Sequence, residues 1–215
     1  MDDPVAALKQ GLASLFKSKE LSDFTVTCGP HTFKVHKAIL WTQSAYFGAL
    51  PNFAEGAKNS IEFKAIGSGD GDDEACDDPD AITLMVHFFY HLDYRADVVF
   101  IAPVPLGTRT YAHKVIKAHR KSKVPSLKSL AVAKFIGAVD ANWRHDSLAE
   151  AAHLVYTTTP EDVHELRDVV ASTLTEHGEL LDNEEVEGVV RSITGLAYEL
   201  LKRSLVAGFE WIGVL

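Results

Sequence analysis

The sequence predicts an α+β protein, in which a small sheet near the N-terminus is combined with helices and followed by a region of helices alone. Residues 24–35 alternate apolar and polar side chains on both sides of Gly29-Pro30, which is typical of a β-hairpin. Beyond Asp140 every apolar pattern has the spacing of a helix. The 215-residue chain is 47% hydrophobic and 24% charged, the composition of a folded globular protein rather than a disordered one.

The individual elements follow from local patterns along the chain. Pro4 is favoured in a first helical turn, and Ser44 and Asp80 stand where a helix needs a capping side chain. Pro125 and Pro160 indicate further helix starts. Residues 98–106 contain two prolines and predict an extended edge or loop. The predicted strands are 24–28, 32–35 and 60–66, and the predicted helices are 5–16, 36–40, 44–50, 81–91, 110–121, 126–137, 147–156, 160–177, 184–193 and 196–205.

Charge is unevenly distributed along a chain whose net charge is −9. Seven acids lie between Asp70 and Asp80, so residues 67–79 predict a solvated, self-repelling insertion. The stretch 109–134 carries eight bases and no acid, but apolar residues separate them at helical spacing. We therefore interpret the bases as exposed faces of helices, expect no nucleic-acid partner, and expect an acidic protein or the acidic insertion as counter-charge.

Several function classes are excluded by the absence of their motifs. Two cysteines are too few for a disulfide scaffold, and no apolar run approaches the ~20 residues that span a bilayer. We therefore expect an intracellular protein, cytoplasmic or nuclear or both, without a membrane partner. His87 and His91 have the spacing of two metal ligands on one helix, but they share what we interpret as the solvent-facing side with Thr83 and Asp80. No catalytic motif is present, and we expect neither an enzyme nor a cofactor or metal site.

The order of the elements and several segments, among them Ser44-Ala45-Tyr46-Phe47 and Phe53-Ala54-Glu55, resemble those of a known family, the BTB/POZ domains. The resemblance runs from about residue 5 to 137 and is closest to stand-alone fungal BTB proteins with extra C-terminal helices. It implies a BTB/POZ fold, a small mixed sheet capped by a helical cluster, at 21–139, after an N-terminal helix at 1–20 and before a helical region at 140–215. The segments that carry it are Leu21-Ser22-Asp23-Phe24-Thr25-Val26 with Phe33-Lys34-Val35-His36-Lys37, Ser44-Ala45-Tyr46-Phe47, Phe53-Ala54-Glu55, Asp77 to Tyr94, and Lys114 to Lys128.

The resemblance implies a homodimer. In the family the N-terminal helix and first strand contribute to the dimer interface, and Asp23 and Lys37 match a charged pocket near its two-fold axis. An alternative is that the helix packs on its own subunit and that Asp23 and Lys37 only fix the hairpin against the next helix. We interpret His36 as a hydrogen-bonded core or turn residue. The residues expected at the interface on the helix are Val5, Leu8, Leu12, Leu15 and Phe16.

Phe53-Ala54-Glu55 matches the step at which family members that recruit cullin-type ubiquitin ligases meet the cullin. The alternative interpretation is a turn in which Phe53 covers the core and Glu55 is exposed. The resemblance thus implies a non-catalytic interaction module, with an adaptor role for a cullin-based ubiquitin ligase as the specific hypothesis and a dimeric scaffold or transcription-linked protein as the alternative. Its client is unknown and would bind the C-terminal helices or the insertions.

Overall fold

The computed structural model describes residues 3–65, 77–94, 123–159 and 164–212. Most of the acidic insertion 67–79, the extended stretch 98–106, the helix predicted at 110–121 and the helix start predicted at Pro160 lie outside these residues. Residue contacts divide the described chain into two compact units. The first contains residues up to 94 together with 123–131, and the second contains residues from 132 onwards.

The first unit combines three strands with short helices. All three strands predicted from the sequence are confirmed, although the third ends at Phe63. A helix at Ala54–Lys58 was not predicted, because five residues are too few to show a helical period. The elements are α1 (Pro4–Ser18), β1 (Phe24–Cys28), β2 (His31–Val35), α2 (Lys37–Gln43), α3 (Ala45–Ala49), a 3₁₀ helix (Leu50–Asn52), α4 (Ala54–Lys58), β3 (Ser60–Phe63), α5 (Pro79–His91) and the start of α6 (Pro125–Asn142).

The sheet is mixed, with the strand order β2-β1-β3. β1 is antiparallel to β2, with Phe24 opposite Val35, and parallel to β3, with Thr25 opposite Ser60. The hairpin closes through Gly29, whose φ of +54° is disfavoured for residues that have a Cβ atom. The sheet is therefore small and mixed, as the family resemblance implied.

One face of the sheet and α5 form the core of the first unit. Alternate residues of β1 are buried, as the period of a strand requires, and Phe47 of α3 packs edge-on against both Phe63 and Phe89. Their ring centroids are 6.3 and 5.8 Å apart, respectively. Ser44 caps α3 as predicted, since its hydroxyl accepts a hydrogen bond from the backbone N–H of Phe47 at 3.2 Å.

The α5 helix differs from its prediction in two respects. Its cap is Asp78, whose carboxylate accepts hydrogen bonds from the N–H groups of Asp80 and Ala81 at 2.9 and 3.3 Å. The predicted cap, Asp80, instead lies in the first turn behind Pro79, a residue suited to the first helical position. The prediction that Thr83 lies on a solvent-facing side is also wrong, because Thr83 is only 8% exposed.

The second unit is helical, as predicted for the C-terminal region. Asn183 caps one of its helices by accepting hydrogen bonds from Glu185 and Val186. The last helix is longer than the predicted 196–205 at both ends. The elements are the remainder of α6, α7 (Ser147–Thr158), α8 (His164–Glu176), a 3₁₀ helix (Gly178–Asp182), α9 (Glu184–Ser192) and α10 (Thr194–Ile212).

A polar network joins three helices of the second unit. The guanidinium of Arg203 on α10 bonds Asp168 on α8 at 2.8 Å and Glu199 at 2.7 Å. The hydroxyl of Tyr156 on α7 donates a hydrogen bond to the second oxygen of Glu199 at 2.8 Å. Because each polar group meets a partner of opposite charge or hydrogen-bonding role, the network holds α10 against α7 and α8 at little desolvation cost.

Candidate protein-binding surfaces

The hydroxyl of Tyr90 on α5 links three segments of the first unit. Its oxygen accepts a hydrogen bond from the backbone N–H of His36 at 2.8 Å, and its proton is donated to His36 Nδ1 at 2.9 Å. His36 Nε2 lies 2.7 Å from the carbonyl oxygen of Glu20, which can only accept, so we assign the proton to Nε2. The prediction that His36 is a hydrogen-bonded core residue is confirmed. Burial raises the pKa of Tyr90 to about 12, which keeps its hydroxyl protonated.

Asp23 and Lys37 meet through the backbone. The Asp23 carboxylate accepts a hydrogen bond from the Lys37 N–H at 2.8 Å, at the start of α2. The Lys37 ammonium donates to the side-chain oxygen of Asn59 and lies 5.6 Å from the centroid of the Trp41 ring. The hydrogen bond between Asp23 and Lys37 fixes the hairpin against α2. This is the structural role that the sequence offered as the alternative to a dimer-interface role for the two residues.

The apolar stripe of α1 has two parts. Near the C-terminal end of the helix, Phe16 stacks on the ring of Tyr90 with a centroid distance of 4.7 Å, and Leu12 and Leu15 are half-buried. Near the N-terminal end, Val5 is 57% exposed and Leu8 is 62% exposed. The C-terminal part therefore packs on its own subunit, whereas the N-terminal part presents apolar side chains to solvent.

His87 and His91 lie beneath α1 and not on an exposed side of α5. Their rings stack with centroids 5.1 Å apart, and Phe16 meets both of them edge-on. Burial, assisted by the neighbouring His91, lowers the pKa of His87 to about 4, so its ring is neutral at neutral pH. In the part of the chain that the structure describes, no three His, Cys, Asp or Glu side chains are arranged to hold a metal ion.

Phe53 and Glu55 lie at the surface beside α4. Phe53 occupies the position before the first residue of α4 and is 59% exposed, so it does not cover the core as the alternative interpretation required. Glu55, in the first helical turn, is also exposed. Tyr46 lies near Glu55, and its pKa is raised by burial and by the carboxylates of Asp77 and Glu55. The segment therefore combines an exposed aromatic ring with a nearby negative charge.

Gly56 sets the position of this segment and was not singled out from the sequence. A Cβ atom at Gly56 would lie 2.2 Å from the carbonyl oxygen of Leu50, which is too close for any side chain. The close approach brings α4 against the preceding 3₁₀ helix. No periodic pattern in the sequence indicates this contact.

The second unit also presents apolar side chains. Tyr198, Leu201 and Leu205 follow each other at helical spacing on α10 and are 69%, 57% and 59% exposed. The region between α6 and α7 is ordered by Trp143, whose ring stacks on His177 at a centroid distance of 3.6 Å. Among the described helices, none combines the length and apolar character needed to cross a membrane.

The comparisons with known proteins agree with the geometry of the first unit. A family model described as BTB/POZ domain matches residues 12–70, which include most of α1, the hairpin, the short helices and β3. A search of the curated proteins found no match. The family match supports a role in protein–protein interaction. The chain contains a BTB/POZ domain, and domains of this family mediate self-association and binding to other proteins.

Replacing Tyr90 by Phe tests the hydrogen-bond network. The variant leaves the N–H and Nδ1 of His36 buried without the hydroxyl, and we expect the free energy of unfolding to fall by about 1–3 kcal/mol. Urea denaturation followed by fluorescence measures this change. Tyr198→Phe, at a side chain that is 69% exposed, is the matched control and should stay within about 0.5 kcal/mol of the native chain. Equal stability of the two variants would contradict the role assigned to Tyr90.

Replacing Gly56 by Ala tests the close approach at α4. Because the new methyl group overlaps the Leu50 carbonyl, we expect a loss of about 1–3 kcal/mol in unfolding free energy. Gly11→Ala in α1 is the control, since nothing lies within 4 Å of its Cβ position and a helical Gly→Ala change should stabilise by roughly 0.5–1 kcal/mol. Thermal unfolding of both variants separates these outcomes. A neutral or stabilising Gly56→Ala would show that the contact is not tight.

Proposed function

We propose that this BTB/POZ protein is a homodimeric interaction module that self-associates through the N-terminal half of α1. The observation that carries the proposal is the exposure of Val5 and Leu8 on a helix whose other end is held to the domain by Phe16. An apolar surface on a fixed helix loses little conformational freedom on binding. Two copies of the same surface can meet across a two-fold axis, which is the commonest symmetry of soluble oligomers.

The double substitution Val5→Glu with Leu8→Glu tests the dimer. We expect light scattering at micromolar concentration to give a mass near 23.6 kDa for the variant and twice that for the native chain. Burial of introduced carboxylates at an interface is unfavourable, and this drives dissociation. The control, Ala7→Glu with Gln10→Glu, adds the same charge to other exposed positions of α1 and should remain dimeric. A native chain that is already monomeric would refute the proposal.

We further propose that the surface formed by Phe53 and Glu55 contacts a cullin scaffold, so that the protein acts as an adaptor of a cullin-based ubiquitin ligase. An exposed aromatic ring beside a fixed charge is the arrangement of many interaction hot spots, where a few residues contribute most of the binding energy. The support here is the 59% exposure of Phe53 together with the exposed carboxylate of Glu55. Gly56 contributes by fixing the segment that carries both.

A pull-down with the N-terminal region of a cullin tests the adaptor role. We expect capture by the native chain and its loss, roughly tenfold or more in affinity, in Phe53→Ala with Glu55→Ala. Leu21→Ala with Glu20→Ala, another exposed apolar and acidic pair, is the control and should bind as the native chain does. Failure of the native dimer to capture the cullin would favour the alternative function, a dimeric scaffold or transcription-linked protein.

A further inference from the structure

A groove of about 750 Å³ lies on the first unit between α1, β2 and α5. Its floor is aromatic and consists of Phe16 from α1, Phe33 from β2, and the stacked rings of His87 and His91 from α5. The low pKa of His87, which results from burial, adds no charge to this floor at neutral pH. Phe53 and Glu55 do not line the groove. Neither do Val5 and Leu8, the exposed part of the apolar stripe on α1.

The rim of the groove is positively charged. Lys17, Lys19 and Lys34 line it, all three are exposed, and no acidic residue lines it in the described part of the chain. Lys34 donates a hydrogen bond to the hydroxyl of Thr25 at 2.9 Å, but within the described ranges none of the three lysines forms an ion pair. Three unneutralised cations on a chain of net charge −9 favour an acidic ligand at this place.

The strand that borders the groove is at the edge of the described sheet. β2 pairs with β1 on one side, and the other side of β2 has no strand partner among the described residues. Edge strands bind extended peptides through their free backbone groups, while nearby pockets accept alternate side chains. The geometry therefore suits an extended chain with an apolar side chain directed at the rings.

We propose that the groove between α1, β2 and α5 binds an extended acidic segment of a partner protein. An aromatic or aliphatic side chain of that segment packs on Phe16, Phe33 and the histidine rings, and flanking carboxylates meet Lys17, Lys19 and Lys34. The net charge of −9 favours this ligand over a nucleic acid, whose phosphates the chain would repel. This site would give the module a client surface within the BTB/POZ unit, independent of whether a cullin binds.

Fluorescence anisotropy with a labelled peptide of sequence Glu-Asp-Phe-Val-Phe-Asp-Glu tests the proposal on the full chain. We expect saturable binding that weakens when both Phe residues become Ser or when the acids become Lys. Lys17→Glu with Lys34→Glu should reduce affinity roughly tenfold or more. Lys9→Glu with Lys202→Glu makes the same charge change at exposed lysines outside the groove and should alter affinity less than about twofold.

A second variant tests the groove without changing its charge. Ser14 is exposed and lines the groove, so Ser14→Trp should fill it and abolish peptide binding while circular dichroism remains native. Three outcomes would overturn the proposal. The first is the absence of saturable binding to the native chain. The second is equally tight binding of a short oligothymidine. The third is a shift of the oligomeric state in Lys17→Glu with Lys34→Glu, which would make the groove an interface between copies. The α1 and cullin assays use other surfaces, so their failure is distinguishable.

Discussion

The buried hydroxyl of Tyr90 is the interaction on which the BTB/POZ unit depends. It satisfies two polar groups of His36, and the same imidazole satisfies the carbonyl of Glu20. Tyr90 is fully buried and His36 nearly so, and the N–H and Nδ1 of His36 would lose their hydrogen-bond partner if the hydroxyl were absent. One atom therefore joins α5, the start of α2 and the connection that follows α1. Because Phe16 stacks on the same ring, the position of α1 follows from this network as well.

The fixed position of α1 gives its two ends different surroundings. The C-terminal part of the apolar stripe attaches the helix to the domain, and the side chains of Val5 and Leu8 are exposed. A helix held at one end and exposed at the other presents its apolar surface in a single orientation, which lowers the entropic cost of association. The side that carries Lys17 faces the groove instead. The proposed self-association and the proposed binding of a peptide therefore involve different side chains of one helix.

The sequence predicts those parts of the fold that local chemistry determines. The hairpin follows from period-two alternation around Gly29, and the cap at Ser44 needs only a backbone N–H three residues away. The cap of α5 was assigned wrongly because Asp78 and Asp80 are both suitable and only the path of the preceding chain decides between them. The burial of Thr83 could not be predicted, since the apolar periodicity of α5 indicates one covered face and does not show that a second face is also covered.

The candidate surfaces also differ in how far the sequence could predict them. Phe53 and Glu55 are two residues apart in sequence, so a motif can indicate them, but their exposure and the close approach of Gly56 to Leu50 are visible only in the fold. The groove brings together side chains that are far apart in sequence, such as Ser14 on α1 and His91 on α5. No local sequence pattern identifies it. Its charge is informative for that reason. The chain has many carboxylates that could pair with its lysines. In the described part, however, none of them forms an ion pair with Lys17, Lys19 or Lys34 at the rim of this groove. The three exposed lysines beside the aromatic rings are therefore the physical basis for proposing an acidic protein segment as the ligand.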